Sequence, residues 1–340
     1  MTRPTLLLDY PPVGRDDLFA PAINDWLDAR FDVHERGGLA RDTFYDRHMA
    51  SARYIVGGPP LSRCRVLHAT SLRAVFSYPA LLPADTTPSD CQRLGIRLLC
   101  PAPATARHIG EVALGLALSL ISGIDGPPGA VPKLDAISSR PLSQRSLGIV
   151  GWNASARGVA ATFEGLVERI RISDPAIPRH ELEQPGLTSC SRDETLEQSD
   201  IVVLMEALTP ERIGAFDARQ LSRLKDGAIV LVLSRADIVN RCALHAECVT
   251  GRLKAAFEAP FGMELSADDA LHSMPNVLVS ARSSCMLPSM LRSAGAAVAD
   301  DIERLEAGGE AVSCKAITSI DLNGVMRIGE EHQPRLLHVV

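Results

Sequence analysis

Short apolar runs alternate along the chain with segments whose apolar residues recur every three or four positions. Each short run is closed by proline or glycine, as is typical of a buried strand. Between the first two runs, "DDLFAPAINDWLDARF" has the spacing of one helix face. The predicted strands of this first part are "TLLLDY", "RYIVGG", "LRAVFSYP" and "GIRLLCP", and a short predicted helix, "SDCQRLG", ends at Gly95. The alternation predicts an α/β domain over residues 1–102.

The same alternation returns after a break. A long apolar helix is predicted over residues 104–124, and the segment after it is too rich in Gly, Pro and Ser for a helix or a central strand. Beyond it the predicted strands are "SLGIVG", "RIRISDP", "DIVVLME", "AIVLVLS", "RLKAAFEA" and "PNVLVSA", and the predicted helices are "SARGVAATFEGLVERI", "ARQLSRLKDG" and "NRCALHAECVTG". Several of these strands are apolar throughout, which indicates a parallel sheet covered on both faces. A last helix, "PSMLRSAGAAVADDIERLEAG", is expected to return the chain to the first domain, and the tail after Gly309 carries no signal.

Length and composition fit this two-domain interpretation. A chain of 340 residues exceeds what one hydrophobic core usually supports, and 46% hydrophobic with 22% charged residues is ordinary globular usage. The formal net charge of -6, without a dense Lys/Arg stripe, gives no electrostatic surface for nucleic acid. We therefore expect domains at residues 1–102 with 286–340 and at 103–285, and no nucleic-acid partner.

Cysteine usage and apolar segments point to an intracellular, water-soluble protein. The eight cysteines show no CxxC spacing, so most are expected to be reduced and buried. The N-terminal apolar run is too short for a signal peptide, and the longest apolar stretch, "IGEVALGLALSLISGI", contains Glu111 and is interpreted as a buried helix rather than a membrane span. No metal site and no serine-hydrolase elbow are predicted, because HExxH, paired cysteines and GxSxG are all absent. A cytoplasmic location follows as the expectation.

One stretch, "LGIVGWNASARGVA", carries the candidate cofactor chemistry. A dinucleotide-binding turn uses one glycine for a tight bend, a second so that backbone can approach the pyrophosphate, and a third small residue for helix packing. Gly151, Asn153 and Ala156 occupy these places. Asp174 ends the next predicted strand, where a carboxylate would accept hydrogen bonds from the adenosine ribose, and this favours NAD over NADP.

Asn153 departs from the dinucleotide pattern. It places a Cβ and an amide where a phosphate oxygen would otherwise meet bare backbone. Its amide could instead donate a hydrogen bond to the phosphate. The alternative is an ordinary strand-to-helix turn that holds no ligand.

From Gly95 to about Gly309 the order of segments resembles the D-isomer-specific 2-hydroxyacid dehydrogenases, a family of NAD-dependent two-domain enzymes. The matching stretches are "HIGEVALGLALSL", "LGIVGWNASARG", "SDIVVLMEALTPE" and "LKDGAIVLVLSRADIVNRCAL". The resemblance implies a Rossmann nucleotide-binding domain, a flavodoxin-like substrate domain and a homodimer formed through the nucleotide domains. It adds Ser155, Asp200 and Ser234 to the predicted cofactor residues.

The resemblance also implies substrate residues. Arg235 stands where the family holds the substrate carboxylate and keto oxygen by a forked, charge-assisted hydrogen bond. Ser77 and Tyr78 lie in the stretch that corresponds to the substrate loop, where Pro79 removes one backbone donor.

The predicted acid/base positions differ from the family. Arg282 stands where the catalytic histidine is expected, and a guanidinium stays protonated at ordinary pH. Met263 occupies the partner glutamate's place, with Glu264 one position later. His108, at the start of the long helix, is the best substitute proton carrier, and His272 is a weaker one.

Three functions stay open at this point. The leading one is an NAD-dependent oxidoreductase of a small 2-keto or 2-hydroxy acid with an altered active site. The second is a repurposed biosynthetic enzyme in which Arg235 and Arg282 stabilise an anion or enolate without net redox change. The third is a non-catalytic NAD-binding pseudoenzyme. A test with NADH and a panel of 2-keto acids would separate them.

Overall fold

The computed structural model describes residues 3–10, 13–58, 62–77, 88–123, 140–183, 185–206, 212–234, 236–258, 269–280 and 287–317. The predictions for Tyr78, Arg235, Glu264 and Arg282 lie outside the described residues. The chain divides into two compact units, Met1–Thr105 with Met286–Val340, and Ala106–Cys285.

The strands are β1 (Thr5–Asp9), β2 (Asp32–Glu35), β3 (Ala52–Gly57), β4 (Ala74–Phe76), β5 (Arg97–Cys100), β6 (Ser146–Val150), β7 (Arg169–Ser173), β8 (Leu187–Ser189), β9 (Ile201–Leu204), β10 (Ile229–Val232), β11 (Lys254–Phe257), β12 (Val277–Val279) and β13 (Lys315–Ala316). The helices are α1 (Arg15–Leu18), α2 (Pro21–Arg30), α3 (Arg41–His48), α4 (Arg63–His68), α5 (Pro88–Arg93), α6 (Ala102–Ser122), α7 (Ala154–Phe163), α8 (Arg179–Leu182), α9 (Arg192–Gln198), α10 (Ala218–Leu221), α11 (Arg241–Val249) and α12 (Pro288–Glu306).

The first unit is built around a sheet in the order β13-β5-β4-β3-β1-β2, parallel except for β13. Strand β1 is apolar throughout because both of its faces are covered: Leu6 and Leu8 belong to one hydrophobic cluster and Leu7 to another. Helix α12 joins the first of these clusters. Its buried Asp301 accepts backbone N–H bonds from Val312, Ser313 and Cys314, and thereby fixes the segment that leads into β13.

The second unit holds a fully parallel sheet in the order β12-β11-β10-β9-β6-β7-β8. Val150 at the end of β6 pairs with Ser173 at the end of β7 and with Leu204 at the end of β9. The residues that follow these strands therefore meet at one edge of the sheet, its carboxyl edge. The predicted α/β class is confirmed.

Several local elements differ from the sequence-based expectation, among them α7 and two edge strands. Helix α7 ends at Phe163 rather than running to Ile170, and Gly165 beyond it has a φ of +74°, a conformation that glycine adopts without strain. The edge strands β2 and β8 were not predicted, because they are short and only partly apolar.

Helix α6 is less buried than its composition suggested. Among the described residues it is the one helix long and apolar enough to cross a membrane, and 33% of its most apolar window is buried. The buried stripe includes Ala113, Ala117 and Leu120, whereas Leu118 is 38% exposed. The expectation of a buried helix is therefore wrong for most of its surface, and α6 is an amphipathic helix with one side against the core.

Candidate cofactor site

The bend between β6 and α7 has the close approach that the first glycine of a dinucleotide turn provides. Gly151 has a φ of +96°, and a Cβ there would lie 2.6 Å from the Glu206 backbone nitrogen and 2.8 Å from the Met205 carbonyl carbon. Both contacts are to backbone that cannot swing aside. Only glycine fits, and the chain leaves β6 directly against the end of β9.

Asn153 is the N-cap of α7. Its Oδ1 accepts a hydrogen bond from the Ala156 N–H at 2.9 Å, and its Nδ2 donates to the Met205 carbonyl at 2.9 Å. One of the two amide N–H groups is therefore used by a protein carbonyl, and donation to a phosphate by the other stays a prediction. The amides of Ala154 and Ser155 lie in the first turn of α7, where an N–H has no acceptor within the helix and favours an anion. Ala156 is fully buried, as helix packing requires of the third position.

Asp174 lies where the carboxyl edge meets a cavity. Its Oδ2 accepts from the Trp152 N–H at 2.7 Å, and its Oδ1 from the Ala176 N–H at 2.9 Å, so the carboxylate braces the turn. A cavity of about 260 Å³ opens beside it. The cavity is lined by Asp174, Ile177, Arg179, Leu182, Ser189, Cys190, Ser191 and Glu194. Apolar and polar walls together suit a nucleoside, and burial raises the pKa of the Cys190 thiol, which keeps it neutral near pH 7.

The position of Asp200 contradicts the prediction that this residue binds the cofactor. It directly precedes β9, so it lies at the amino edge of the sheet, opposite Gly151. It accepts hydrogen bonds from the Ser146 N–H and hydroxyl, both at 2.8 Å, from Arg140, and from Lys225 Nζ at 3.2 Å. Burial alone would raise the pKa of this carboxyl, but these donors outweigh burial and hold the pKa well below its usual range. Asp200 is a structural anchor and not a cofactor residue.

Several buried polar atoms at the carboxyl edge have no hydrogen-bond partner among the described residues. They are Trp152 Nε1, Ser173 Oγ, Glu206 Oε2 and Ser234 Oγ. Buried polar groups are rarely left unpaired, and a polar ligand at this edge would supply partners. Together with the bend at Gly151 and the Asp174 carboxylate, these unpartnered atoms fit a bound dinucleotide.

His108 and Ser77 belong to different compact units. His108 lies near the start of α6, half-buried, and its Nδ1 is buried with no hydrogen-bond partner among the described residues. Ser77 directly follows β4, is fully buried, and its N–H donates to the Leu99 carbonyl. Their catalytic and substrate-binding roles stay predictions.

Two acidic residues at the carboxyl edge are not among the site residues predicted from the sequence. Glu206 follows Met205 after β9 and Glu258 directly follows β11, and both are buried. The available signal was a carboxylate at the end of an entirely apolar strand, in "IVVLME" and "KAAFE". Among the described residues no group of three or more His, Cys, Asp or Glu side chains could hold a metal ion.

Comparison with known proteins finds a family model over the part of the chain that holds this site. Residues 129–283 match the model of the D-isomer specific 2-hydroxyacid dehydrogenase, NAD binding domain. D-3-phosphoglycerate dehydrogenase of Mycobacterium leprae is 27% identical over 220 residues, which cover 63% of this chain and 42% of that protein. Hydroxypyruvate reductase of Thermotoga maritima is 26% identical over 54% of this chain and 61% of its own length.

A solved structure covers more of the chain. The crystal structure of a phosphoglycerate oxidoreductase from Rhizobium etli has a TM-score of 0.74 and 26% identity, and the match covers 93% of this chain and 98% of that one. The chain spans less than two thirds of the length of the curated relatives named above. The resemblance seen in the sequence is confirmed, and NAD is the cofactor that the matching domain model names.

Proposed function

We propose that the protein is an NAD-dependent oxidoreductase that interconverts a small 2-keto acid and its 2-hydroxy acid, because residues 129–283 match the model of the D-isomer specific 2-hydroxyacid dehydrogenase, NAD binding domain. The observation that carries this proposal is the carboxyl edge of the second unit. There the bend at Gly151, the carboxylate of Asp174 and several unpartnered buried polar atoms lie on adjacent strand ends.

The proposed role of each residue follows from the groups that it can offer to the cofactor or to the substrate. The first-turn amides of α7 and the Asp174 carboxylate would hold the pyrophosphate and the ribose, and Ser234 would face the same edge. NAD, when bound, accepts or supplies the hydride. Arg235 would hold the substrate's carboxylate and keto oxygen by a forked contact.

The group that donates the proton is the part of this mechanism that differs from the family pattern. Hydride addition to a ketone carbon leaves an alkoxide that must take up a proton, and the Arg282 guanidinium cannot supply one near neutral pH. Arg282 would stabilise the developing negative charge instead. His108 is the proposed proton donor, supported by its unpartnered buried Nδ1, and Glu264 is an alternative carrier.

Restoring a titrating group should raise activity. With NADH and a panel of small 2-keto acids, we expect Arg282→His to increase kcat for reduction by about 10- to 100-fold, since a positioned general acid contributes at least that much. Loss of NADH absorbance measures the rate. Arg107→His, an exposed position on α6, is the matched control and should leave the rate unchanged.

Two outcomes would contradict the proposal. If NADH binds but neither the wild type nor Arg282→His reduces any acid of the panel, an NAD-binding protein without catalysis is favoured. If NADH does not bind, the cofactor assignment itself fails.

We further propose a cytoplasmic homodimer. Leu118 is exposed on α6, and Leu114, one turn before it on the same side of the helix, is only partly buried, an apolar surface that a second copy would cover. The cytoplasmic location is supported by the absence of paired cysteine spacing in the sequence.

A charge on this face should separate the two copies. We expect the wild type to sediment at twice the chain mass and Leu118→Glu to sediment at the monomer mass, because the carboxylate would be buried without a partner. Leu166→Glu, an equally exposed leucine beyond α7, is the control and should stay dimeric. A dimeric Leu118→Glu would rule out this face.

A further inference from the structure

A buried carboxylate gathers two arginines beside the cofactor turn. The Glu206 side chain is 1% exposed, and its Oε1 forms an ion pair with Arg192 Nη2. Arg212 Nη1 lies 3.6 Å from the same oxygen. The Arg192 guanidinium also lies over the Phe216 ring, 5.4 Å from its centre, which restricts its movement. The three side chains form the Glu206 cluster.

The Glu206 cluster carries one positive charge in excess. Its two arginine side chains are 30% and 32% exposed, whereas the Glu206 side chain is covered. Each guanidinium has five N–H donors, and contacts to a single carboxylate oxygen leave most of them unused in that pair. Two cations drawn to one anion are only half neutralised, so the cluster favours a further anion close by.

The Glu206 cluster lies next to the turn between β6 and α7, because the Glu206 backbone contacts Gly151. The Glu206 backbone nitrogen is the nearest atom to a Cβ built on Gly151, and the preceding carbonyl, that of Met205, accepts the Asn153 side-chain amide. A lone carboxylate here would repel a pyrophosphate held by α7. The two arginines reverse the sign of that interaction.

The residues of the turn between β6 and α7 explain why added positive charge would help this edge to bind a pyrophosphate. Asn153 puts a Cβ where backbone would approach the pyrophosphate, and one N–H of its amide already donates to the Met205 carbonyl, so the turn offers fewer contacts than one with a second glycine. From these contacts we propose that Arg192 and Arg212, positioned by Glu206, bind the pyrophosphate of the dinucleotide together with the α7 amides. The inference rests on the proposed function, since it assumes that a dinucleotide occupies this edge.

Calorimetric titration with NADH and with ADP-ribose tests the two arginines. Arg192→Gln and Arg212→Gln should each weaken both ligands by about 10- to 100-fold, the usual effect of losing a charge-assisted hydrogen bond. The salt dependence of the affinity should also become shallower in each variant. Arg223→Gln, whose arginine pairs instead with Asp193 and Glu197 of α9, is the matched control and should bind like the wild type.

Glu206→Gln gives an independent readout. Without the carboxylate the two cations face each other unbalanced, so the melting temperature should fall and should be restored by inorganic pyrophosphate more than in the wild type. Circular dichroism checks that the variant is folded. If it does not fold, the Arg192→Gln and Arg212→Gln titrations decide alone.

Each remaining outcome overturns a specific statement. Unchanged NADH and ADP-ribose affinities in both arginine variants, with binding still lost in Asp174→Ala, would leave the proposed function standing and remove the arginines from the site. Inorganic pyrophosphate binding as tightly as ADP-ribose would indicate a free-anion site rather than a dinucleotide site. Wild-type protein that binds neither NADH nor ADP-ribose would overturn the inference and the proposed function together.

Discussion

Replacing Arg235 with alanine is expected to lower kcat/KM for 2-keto acid reduction by about a thousandfold. The change removes a forked, charge-assisted contact to the substrate, and losing one partner of such a pair typically costs about 4 kcal/mol, which is about a thousandfold in rate. Arg235 itself lies outside the described residues; the residue before it, Ser234, comes just after β10. Steady-state kinetics with NADH measure the effect.

Two further variants make this result specific. Arg235→Lys keeps the charge but loses the fork, so its kcat/KM should fall between those of the wild type and the alanine variant. The Kd for NADH should change by less than about twofold in both, since the proposed role concerns substrate alone. An alanine variant that retains wild-type kcat/KM would remove Arg235 from the substrate site.

The strands and the turn could be predicted because their signals are local. A strand buried on both faces must be apolar along its whole length, and β6, β9 and β10 each have that pattern. The bend at Gly151 follows from a glycine at the end of such a strand. By contrast, β2 and β8 lie at sheet edges, where partial exposure removes the pattern.

The misassigned and missed site residues depend on contacts that a linear pattern does not contain. Only the family resemblance points to Asp200 as a cofactor residue, although a residue that precedes a parallel strand lies at the edge opposite one that follows it. In the sequence Asn153 departs from the dinucleotide pattern, and its pairing with the Met205 carbonyl spans 52 positions. The pairing of Glu206 with Arg192 depends likewise on tertiary packing. Strand direction could have placed Asp200 correctly, but nothing local predicts the other two contacts.

Asp200→Asn is expected to lower the free energy of unfolding by about 3 kcal/mol at pH 7 while leaving NADH affinity unchanged. The Asp200 side chain is 7% exposed and accepts bonds from Ser146, Arg140 and Lys225. An asparagine presents one acceptor oxygen and one NH2 group, so some of these donors must face an N–H, and leaving buried or partly buried donors unpaired costs about this much. Arg140 and Lys225 are partly exposed and can turn to water, which limits the loss.

The pH dependence separates this role from a simple packing defect. The folded-state pKa of Asp200 lies below its ordinary value of 3.8, so the ionised carboxylate contributes stability that is fully present above that pH and is lost as the pH falls towards the lower, folded-state pKa. The difference in unfolding free energy between wild type and Asp200→Asn should therefore be constant from about pH 7 to 5 and shrink below about pH 4. Urea unfolding at a series of pH values measures it, with the exposed Asp226→Asn as the control that should change little. A difference that persists undiminished at low pH, or a loss of NADH binding, would contradict the assignment of Asp200 as an anchor at the amino edge.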